Sequence, residues 1–278
     1  MESVKWKRSN SLLVGRLLLC TLLVFGCSAR SIGCVCNPPP LLDLVALSDF
    51  IAVVEINSLE KDSDSTNQHT VGIEIKELFK GSPTTRLKVF SIYDSECGIY
   101  TRVGTHWLIF AIKHNDNELH FNLCSGNRSL DWDPGINHTK WNEDVDWHHS
   151  TYQKIAVLRY LRDNQIAPEN DFHLGFNFPE MCIENFKGYE VSKDHFAIYE
   201  LLIDPDLNVV EVYEIKKFSN SKLSRDLLPC LKDGINLYQE KIYGKEGIAI
   251  TAPVKLLIGI YYYPSEWDNP SFITQYDL

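Results

Sequence analysis

Hydrophobic positions between Asp49 and Cys124 follow the pattern of successive β-strands. Five runs rich in β-branched and aromatic residues are separated by short polar segments, with no helical period between them. In the second run Val71, Ile73 and Ile75 alternate with polar residues or glycine, which predicts one buried and one wet face. The runs cover residues 50–56, 70–79, 87–93, 105–112 and 119–124. Five closely spaced strands predict a small antiparallel barrel or sandwich.

The pattern changes after the fifth run. Apolar residues at helical spacing over 152–161 predict a helix that packs on the barrel, and the polar stretch 165–171 with Pro168 indicates a linker. A hairpin of residues 196–203 and 209–215, a helix over 221–235 and a strand over 254–263 follow. Ser221 and Ser224 are candidate helix caps, and Pro229 indicates a short or kinked helix.

These elements predict two domains after a leader. Residues 1–33 form a signal peptide, 34–164 an all-β barrel with its flanking helix, 165–180 a linker and 181–278 an α+β domain.

The leader has a basic start, Lys5, Lys7 and Arg8, and an apolar core over 17–26, too short to span a membrane. Two cleavage sites fit it. Val24 to Cys27 resembles a bacterial lipobox and would leave a lipidated Cys27 first, whereas ordinary cleavage after Gly33 would leave Cys34 first. Either way we expect a secreted or cell-envelope protein, lipid-anchored in the first case and otherwise without membrane contact.

Charge narrows the choice of partner. The 278-residue chain has a formal net charge of −10 and no basic run, which argues against nucleic acid. We therefore expect a protein partner or a small ligand, and the sequence suggests no cofactor.

Eight cysteines lie at positions 20, 27, 34, 36, 97, 124, 182 and 230. Cys20 leaves with the leader, and if Cys27 is lipidated or removed, six remain in a compartment that permits disulfides, with fifteen possible connectivities. Zinc binding by Cys34 and Cys36 is a weak alternative, because one intervening residue is shorter than the usual ligand spacing.

The segment Cys34-Val-Cys36-Asn-Pro-Pro39 resembles the mature N-terminus of tissue inhibitors of metalloproteinases, whose netrin-type (NTR) domain is an OB-like barrel. Leu47-Ser-Asp49, Phe79-Lys-Gly81, Cys97-Gly98 and Cys124 continue the likeness over about ninety residues. The resemblance implies the disulfides Cys34–Cys97 and Cys36–Cys124, each worth on the order of 4 kcal/mol as a long loop closure. Leu47 replaces a third family cysteine, whose partner is missing too.

The same resemblance implies a function. The free amine and carbonyl of Cys34 would chelate the catalytic zinc of a target metalloproteinase, Val35 would enter its pocket, and Ser95 and Glu96 would add contacts, the chain having no metal of its own. This requires Cys34 to be the first residue. If the chain begins at Cys27, the nitrogen of Cys34 is an amide, and the barrel is a non-inhibitory interaction or adhesion module of a cell-envelope lipoprotein.

Residues 181–278 resemble, more weakly, the C-terminal domain of TonB-type energy transducers, with a hairpin, a helix and a strand preceded by Tyr243 to Pro253. This resemblance favours a bacterial source and hence the lipoprotein interpretation. Cys182 and Cys230 are then left to form a third disulfide.

An enzyme is not expected. His148 and His149 lie near Asp144 and Asp146, but neither a zinc-protease motif nor a nucleophile elbow accompanies them. The sequons at Asn127 and Asn137 matter only in a eukaryotic secretory pathway.

Overall fold

A computed structural model of the chain describes residues 36, 38–61, 68–91, 98–115, 117–131, 141–240, 248–265 and 269–275. The predicted leader, residues 1–33, lies outside the described residues.

Five strands form a closed barrel, which confirms the barrel predicted from the sequence. They are β1 (Phe50–Lys61), β2 (Gln68–Lys80), β3 (Arg86–Phe90), β4 (His106–Lys113) and β5 (Leu119–Asn122). Strand β1 pairs with β2 on one side and β4 on the other, and the order β1-β2-β3-β5-β4 is compatible with an OB-like barrel. One pair, β3–β5, is parallel, contrary to the all-antiparallel expectation, because the chain between them crosses over through β4.

The barrel interior is filled by alternate residues of its strands. The predicted alternation in β2 holds in part: Val71 and Ile73 are buried inside and Glu74 is exposed, but Gly72 is buried too, because the side chains of Asn57 and Ser58 lie against it. The sequence of strand β1 is instead a continuous apolar run, because both of its faces are buried. Phe50 and Ala52 point into the barrel, and Ile51 packs against a second cluster outside it.

That second cluster lies between the barrel and the C-terminal half. It includes helix α1 (Leu41–Leu47) and the flanking helix α2 (Trp141–Asp163), with Leu108 and Phe110 from the outer face of β4. Phe196, Ile198 and Tyr261 enter it from the C-terminal half. Barrel and C-terminal half thus share a core and belong to one compact unit, Cys36–Leu278.

The C-terminal half contains a four-stranded sheet in the order β12-β11-β8-β9. Its strands are β8 (Phe196–Ile203), β9 (Val209–Lys216), β11 (Val254–Tyr263) and β12 (Phe272–Thr274). Helix α4 (Ser221–Pro229) covers the face opposite the barrel, where Leu223, Leu227 and Leu231 pack against Tyr199 and Ile258. The hairpin and the strand over 254–263 therefore lie where the sequence pattern predicted them, whereas α4 covers only the first part of the helix predicted over 221–235.

Helix α4 differs from its prediction in two details. Asn220, rather than Ser221 or Ser224, caps it, and its side chain accepts hydrogen bonds from the N–H groups of Lys222 and Leu223. Pro229 ends α4 before the predicted end at residue 235, in agreement with the short helix that this proline indicated, and a single π turn (Cys230–Gly234) follows.

Several short elements were not predicted. Helix α1, strand β6 (Arg128–Ser129) on the far side of β4 and helix α3 (Glu180–Glu184) are among them. Strand β7 (Leu174–Asn177) lies within the stretch interpreted as a linker and pairs with β10 (Asn236–Gln239).

Candidate functional site

The segment that enters the barrel domain is tied to the end of β5 by a disulfide. Cys36 and Cys124 are bonded, with their Cα atoms 4.9 Å apart at a sequence separation of 88. This is the pairing that the resemblance implied for these two cysteines. It fixes the chain two residues after Cys34.

Cys124 itself sits in a rigid turn, Leu123–Ser125, directly after β5. The side chain of Asn122 caps this turn, since its Oδ1 accepts hydrogen bonds from the N–H of Cys124 at 2.8 Å and from the hydroxyl of Ser125 at 3.1 Å. Gly126 ends the turn with a left-handed φ of 75°. A Cβ at Gly126 would lie 2.5 Å from Leu44 Cδ1, so glycine here lets helix α1 approach the turn.

Asn127 connects the turn to the barrel wall. Its Oδ1 accepts a hydrogen bond from the N–H of Phe110 at 2.7 Å, and its Nδ2 donates one to the carbonyl of Asn122 at 2.8 Å. The residue is only 6% exposed. The amide that a glycan would use at this sequon is therefore a structural group in the folded protein.

Helix α1, which follows Cys36 after three prolines, is held at its C-terminal end. Lys80 Nζ donates hydrogen bonds to the carbonyl oxygens of Val45 at 2.7 Å and Ala46 at 3.3 Å. These are carbonyls that the helix itself leaves without partners, and a cation is favoured at this end of the helix dipole. Burial lowers the pKa of Lys80, and the nearby Asp49 partly opposes the shift.

Asp43 connects the same helix to the C-terminal half. Its Oδ1 accepts a hydrogen bond from Asn170 Nδ2 at 2.8 Å, and Asn170 also bonds both backbone groups of Leu174 at the start of β7. Burial raises the pKa of Asp43, and the Asn170 hydrogen bond opposes this shift. The entering segment is thus fixed from the barrel side by Cys124 and Lys80 and from the other side by Asn170.

Helix α2 carries a buried lysine that lies close to a buried arginine of strand β6. Lys154 is only 4% exposed, and burial together with the nearby Arg128 lowers its pKa to about 7. Arg128 comes from β6, and burial lowers its pKa as well.

Cys34, Val35, Ser95 and Glu96 lie outside the described residues, and so do Cys97 and the candidate lipidation site Cys27. The Cys34–Cys97 disulfide accordingly stays a prediction.

The third predicted disulfide, Cys182–Cys230, is confirmed, with its Cα atoms 6.0 Å apart. It ties helix α3 to the π turn after α4. Together with the packing of Phe186 and Leu227 in the same core cluster, it fastens the segment before β8 to the sheet.

Sequence reasoning missed the residues that hold helix α1 in place. Lys80 is 35 residues away from the carbonyl it binds, and Asn170 is 127 residues away from Asp43. No local pattern carries such pairings. The only available signal was the apolar spacing of Leu41, Leu42, Leu44 and Val45, which fits a short helix with one buried face.

Two further kinds of feature are absent from the described part of the chain. It contains no group of three or more His, Cys, Asp or Glu side chains that could hold a metal ion. None of the helices that the structure describes is both long enough and apolar enough to cross a membrane.

No protein-family model matches this sequence, and no curated protein sequence matches it either.

Proposed function

We propose that this protein is a secreted or lipid-anchored protein-binding module built on a netrin-type, OB-like barrel, and that it inhibits a zinc metalloproteinase when its mature chain begins at Cys34. The observation that carries the proposal is the closed barrel in the order β1-β2-β3-β5-β4 together with the disulfide from Cys36 to Cys124. Barrel and disulfide are the features that the likeness to metalloproteinase inhibitors calls for.

The proposed chemistry resides in the first residue. The α-amine of Cys34, with a pKa of roughly 8, has a useful neutral fraction near pH 7. Neutral amine and carbonyl would displace the water on the protease's zinc, while Val35 occupies the adjacent pocket and Ser95 and Glu96 make flanking contacts.

The packing of the entering segment gives this chemistry a physical advantage. Cys36 is bonded to Cys124, and Leu41 and Leu42 just beyond it are buried at 0% and 4% exposure. Because Cys36 and helix α1 are already held in place, the described residues next to the proposed contact lose little conformational entropy on binding, which improves affinity without any additional contact.

The first experiment is to measure the mass of the N-terminal peptide of the mature protein. An unmodified Cys34 amine supports inhibition. A diacylglyceryl group on Cys27 rules out chelation by Cys34 and leaves the alternative, a non-inhibitory interaction or adhesion module of a bacterial cell-envelope lipoprotein.

The second experiment assays the chain beginning at Cys34 against a panel of zinc metalloproteinases. One added alanine before Cys34 should abolish inhibition, because it converts the amine into an amide, whereas one added at the C-terminus should change nothing. Inhibition that survives the N-terminal alanine, or no inhibition of any protease, would refute the chelation mechanism.

The C-terminal half gives weaker support and bears only on the proposed location. The order of β8, β9, α4 and β11 supports the likeness to the C-terminal domain of TonB-type transducers. That likeness is the ground for proposing a cell-envelope location.

A further inference from the structure

A small cavity lies where helix α1 meets strands β7 and β11. Its volume is about 10 Å³, enough for one water molecule and too small for any larger ligand. Three lining residues have polar side chains: Asp43 from α1, Tyr261 from β11 and Gln275 just after β12. The other lining side chains are apolar, apart from Gly259, which has none. The cavity therefore places a few polar groups inside the apolar contact between barrel and C-terminal half.

The hydroxyl of Tyr261 is buried and lacks a protein partner. Tyr261 is 1% exposed, and its hydroxyl makes no hydrogen bond with the residues that the structure describes. Burial is the main cause that raises the pKa of Tyr261, and the nearby Tyr263 and Asp43 add to the shift. The hydroxyl therefore stays protonated, and a buried O–H of this kind requires an acceptor.

Gly259 determines where this hydroxyl lies. It precedes Tyr261 by two residues, so both belong to the same face of β11. A Cβ at Gly259 would lie 2.6 Å from the Tyr261 hydroxyl oxygen and 2.9 Å from Cζ. Glycine thus lets the ring lie along the strand, with the hydroxyl next to the backbone that lines the cavity.

The carboxylate of Asp43 has acceptor capacity left. Its Oδ1 accepts one hydrogen bond, from Asn170 Nδ2 at 2.8 Å, and no second one reaches it from the described residues. A carboxylate has room for about four such bonds. Asp43 and Tyr261 line the same cavity, but no hydrogen bond joins them directly. One small molecule between them would therefore provide an acceptor for the hydroxyl and a donor for the carboxylate.

The third polar side chain is already engaged. Gln275 Oε1 accepts a hydrogen bond from the N–H of Phe178 at 3.1 Å, and Gln275 Nε2 donates one to the carbonyl of Phe176 at 3.2 Å. The side chains around the cavity thus leave one donor and one acceptor. Mg²⁺ and Ca²⁺ require about six or more oxygen ligands, so this donor set suits a water molecule better than a metal cation.

We propose that this cavity holds one ordered water molecule, which accepts a hydrogen bond from the Tyr261 hydroxyl and donates one to the Asp43 carboxylate. The water joins helix α1 to strand β11, in addition to the direct bond between Asp43 and Asn170. Barrel and C-terminal half are then connected at this point by a polar bridge as well as by apolar packing. The bridge does not depend on which residue begins the mature chain.

The test is NMR detection of the water in the full processed chain, through cross-relaxation between a long-lived water and the amide proton of Gly259. We expect a bound-water cross-peak at Gly259. Tyr261→Phe keeps the ring and removes the hydroxyl, and it should abolish the cross-peak because one polar side chain does not retain a buried water.

The same variant should change the titration of Asp43, followed by carbon-13 NMR of its carboxyl group. Asp43 should titrate at a higher pH than in the parent protein, because a donor to its charged form is lost. His173 and Glu240, the other charged groups near Asp43, are the same in both proteins.

Tyr262→Phe is the matched control. Tyr262 is also 1% exposed, but it packs in the core cluster on the opposite face of β11, where its hydroxyl lies 3.4 Å from Glu190 Oε2. This variant should leave both the Gly259 cross-peak and the Asp43 titration unchanged.

A crystal structure of the parent protein at high resolution gives a second measurement that needs no variant. We expect density for one water within hydrogen-bonding distance of both side chains. A direct bond between Tyr261 and Asp43, no water signal in the parent, or a signal that is lost when Na⁺ is replaced by choline would overturn the proposal. A cross-peak that survives Tyr261→Phe in a protein with a native thermal transition would do the same.

Discussion

Gly126 shows how one residue determines the position of an element. Its left-handed backbone and its contact with Leu44 both depend on the missing Cβ. Gly104 has a similar φ of 85°, but a Cβ there would meet nothing within 4 Å. The two glycines therefore separate backbone strain from crowding.

Gly126→Ala should lower the free energy of unfolding by about 2 to 4 kcal/mol, because strain and the clash with helix α1 add together. Gly104→Ala should cost only about 1 kcal/mol, the strain alone. Urea unfolding of the two variants measures both values. Equal losses would mean that α1 does not press on the turn.

Lys154 makes stability depend on pH. In the folded chain its pKa is lowered to about 7, whereas an unfolded lysine titrates near about 10.4. Between these values the unfolded chain binds a proton that the folded chain does not, so stability rises with pH over this window. Burial raises the pKa of Tyr199, which reverses the trend only above about pH 10.

We expect the free energy of unfolding to increase by about 2 kcal/mol between pH 7 and pH 9. Lys154→Met should flatten this part of the curve, whatever its effect on absolute stability. Urea titrations at pH 7, 8 and 9 on both proteins provide the comparison, and parallel curves would contradict the assignment.

At the scale of elements, an ion cluster fastens helix α2 to strand β2. Glu77 accepts hydrogen bonds from Arg159 Nε at 3.0 Å and from Arg162 Nη1 at 2.9 Å. The Arg159 hydrogen bond lowers the pKa of Glu77. Its contribution to stability is therefore present above the ordinary carboxyl pKa and is lost as the pH falls through the lowered value.

Glu77→Gln should reduce stability at pH 7 by about 1 kcal/mol and have less effect at high salt, because the guanidinium groups are partly exposed. Glu184→Gln, which removes the exposed pair with Lys187, should be close to neutral. Thermal unfolding in low and high salt distinguishes the two. Equal effects of both variants would show that the cluster does not clamp α2.

The sequence predicted the long elements better than the short ones. Strands β1, β2, β4 and β11 and helix α2 are long enough for their apolar runs or apolar spacing to be visible in the sequence. Helix α1 was missed because seven residues give too little periodicity, and β7 and β10 because four-residue strands depend on a distant partner. Helix α4 was predicted too long because the π turn that directly follows Pro229 continues the helical chain, so the sequence shows no clear break at the end of the α-helix.

At the scale of the whole molecule, the barrel and the C-terminal half share the second hydrophobic cluster, which lies between them. Ile155 and Leu158 of α2 and Leu41 of α1 pack in the same cluster as Phe196 and Tyr261. Sequence patterns show which faces are apolar, but not which distant element covers each face. The division into separate domains at 165–180 therefore stays a prediction that needs its own test.

A fragment of residues 34–164 provides that test. We expect it to aggregate or to unfold at a much lower temperature than the full chain, because it exposes the apolar faces of α1 and α2 that Tyr261 and its neighbours cover. Size-exclusion chromatography and thermal unfolding measure both properties. A monomeric fragment as stable as the barrel in the intact protein would show two independent domains.

The disulfide of the candidate site was predictable from the sequence, and the side chains that hold the site together were not. Cys36 and Cys124 were paired through likeness to a family, since counting alone left fifteen connectivities. The supports at Lys80, Asn127 and Asn170 follow only from tertiary packing, which no sequence pattern in this chain specifies.

The hydrophobic cluster that the barrel shares with the C-terminal half also determines when the barrel can finish packing during synthesis. Helix α1 emerges from the ribosome long before β8 and β11, and until Tyr261 is synthesised Leu41 and Leu42 lack part of their cover. Translation runs in one direction, so the barrel cannot reach its final packing while the chain is still growing. We expect the nascent protein to depend on a holding chaperone, and release from that chaperone to follow the pairing of β11 with β8.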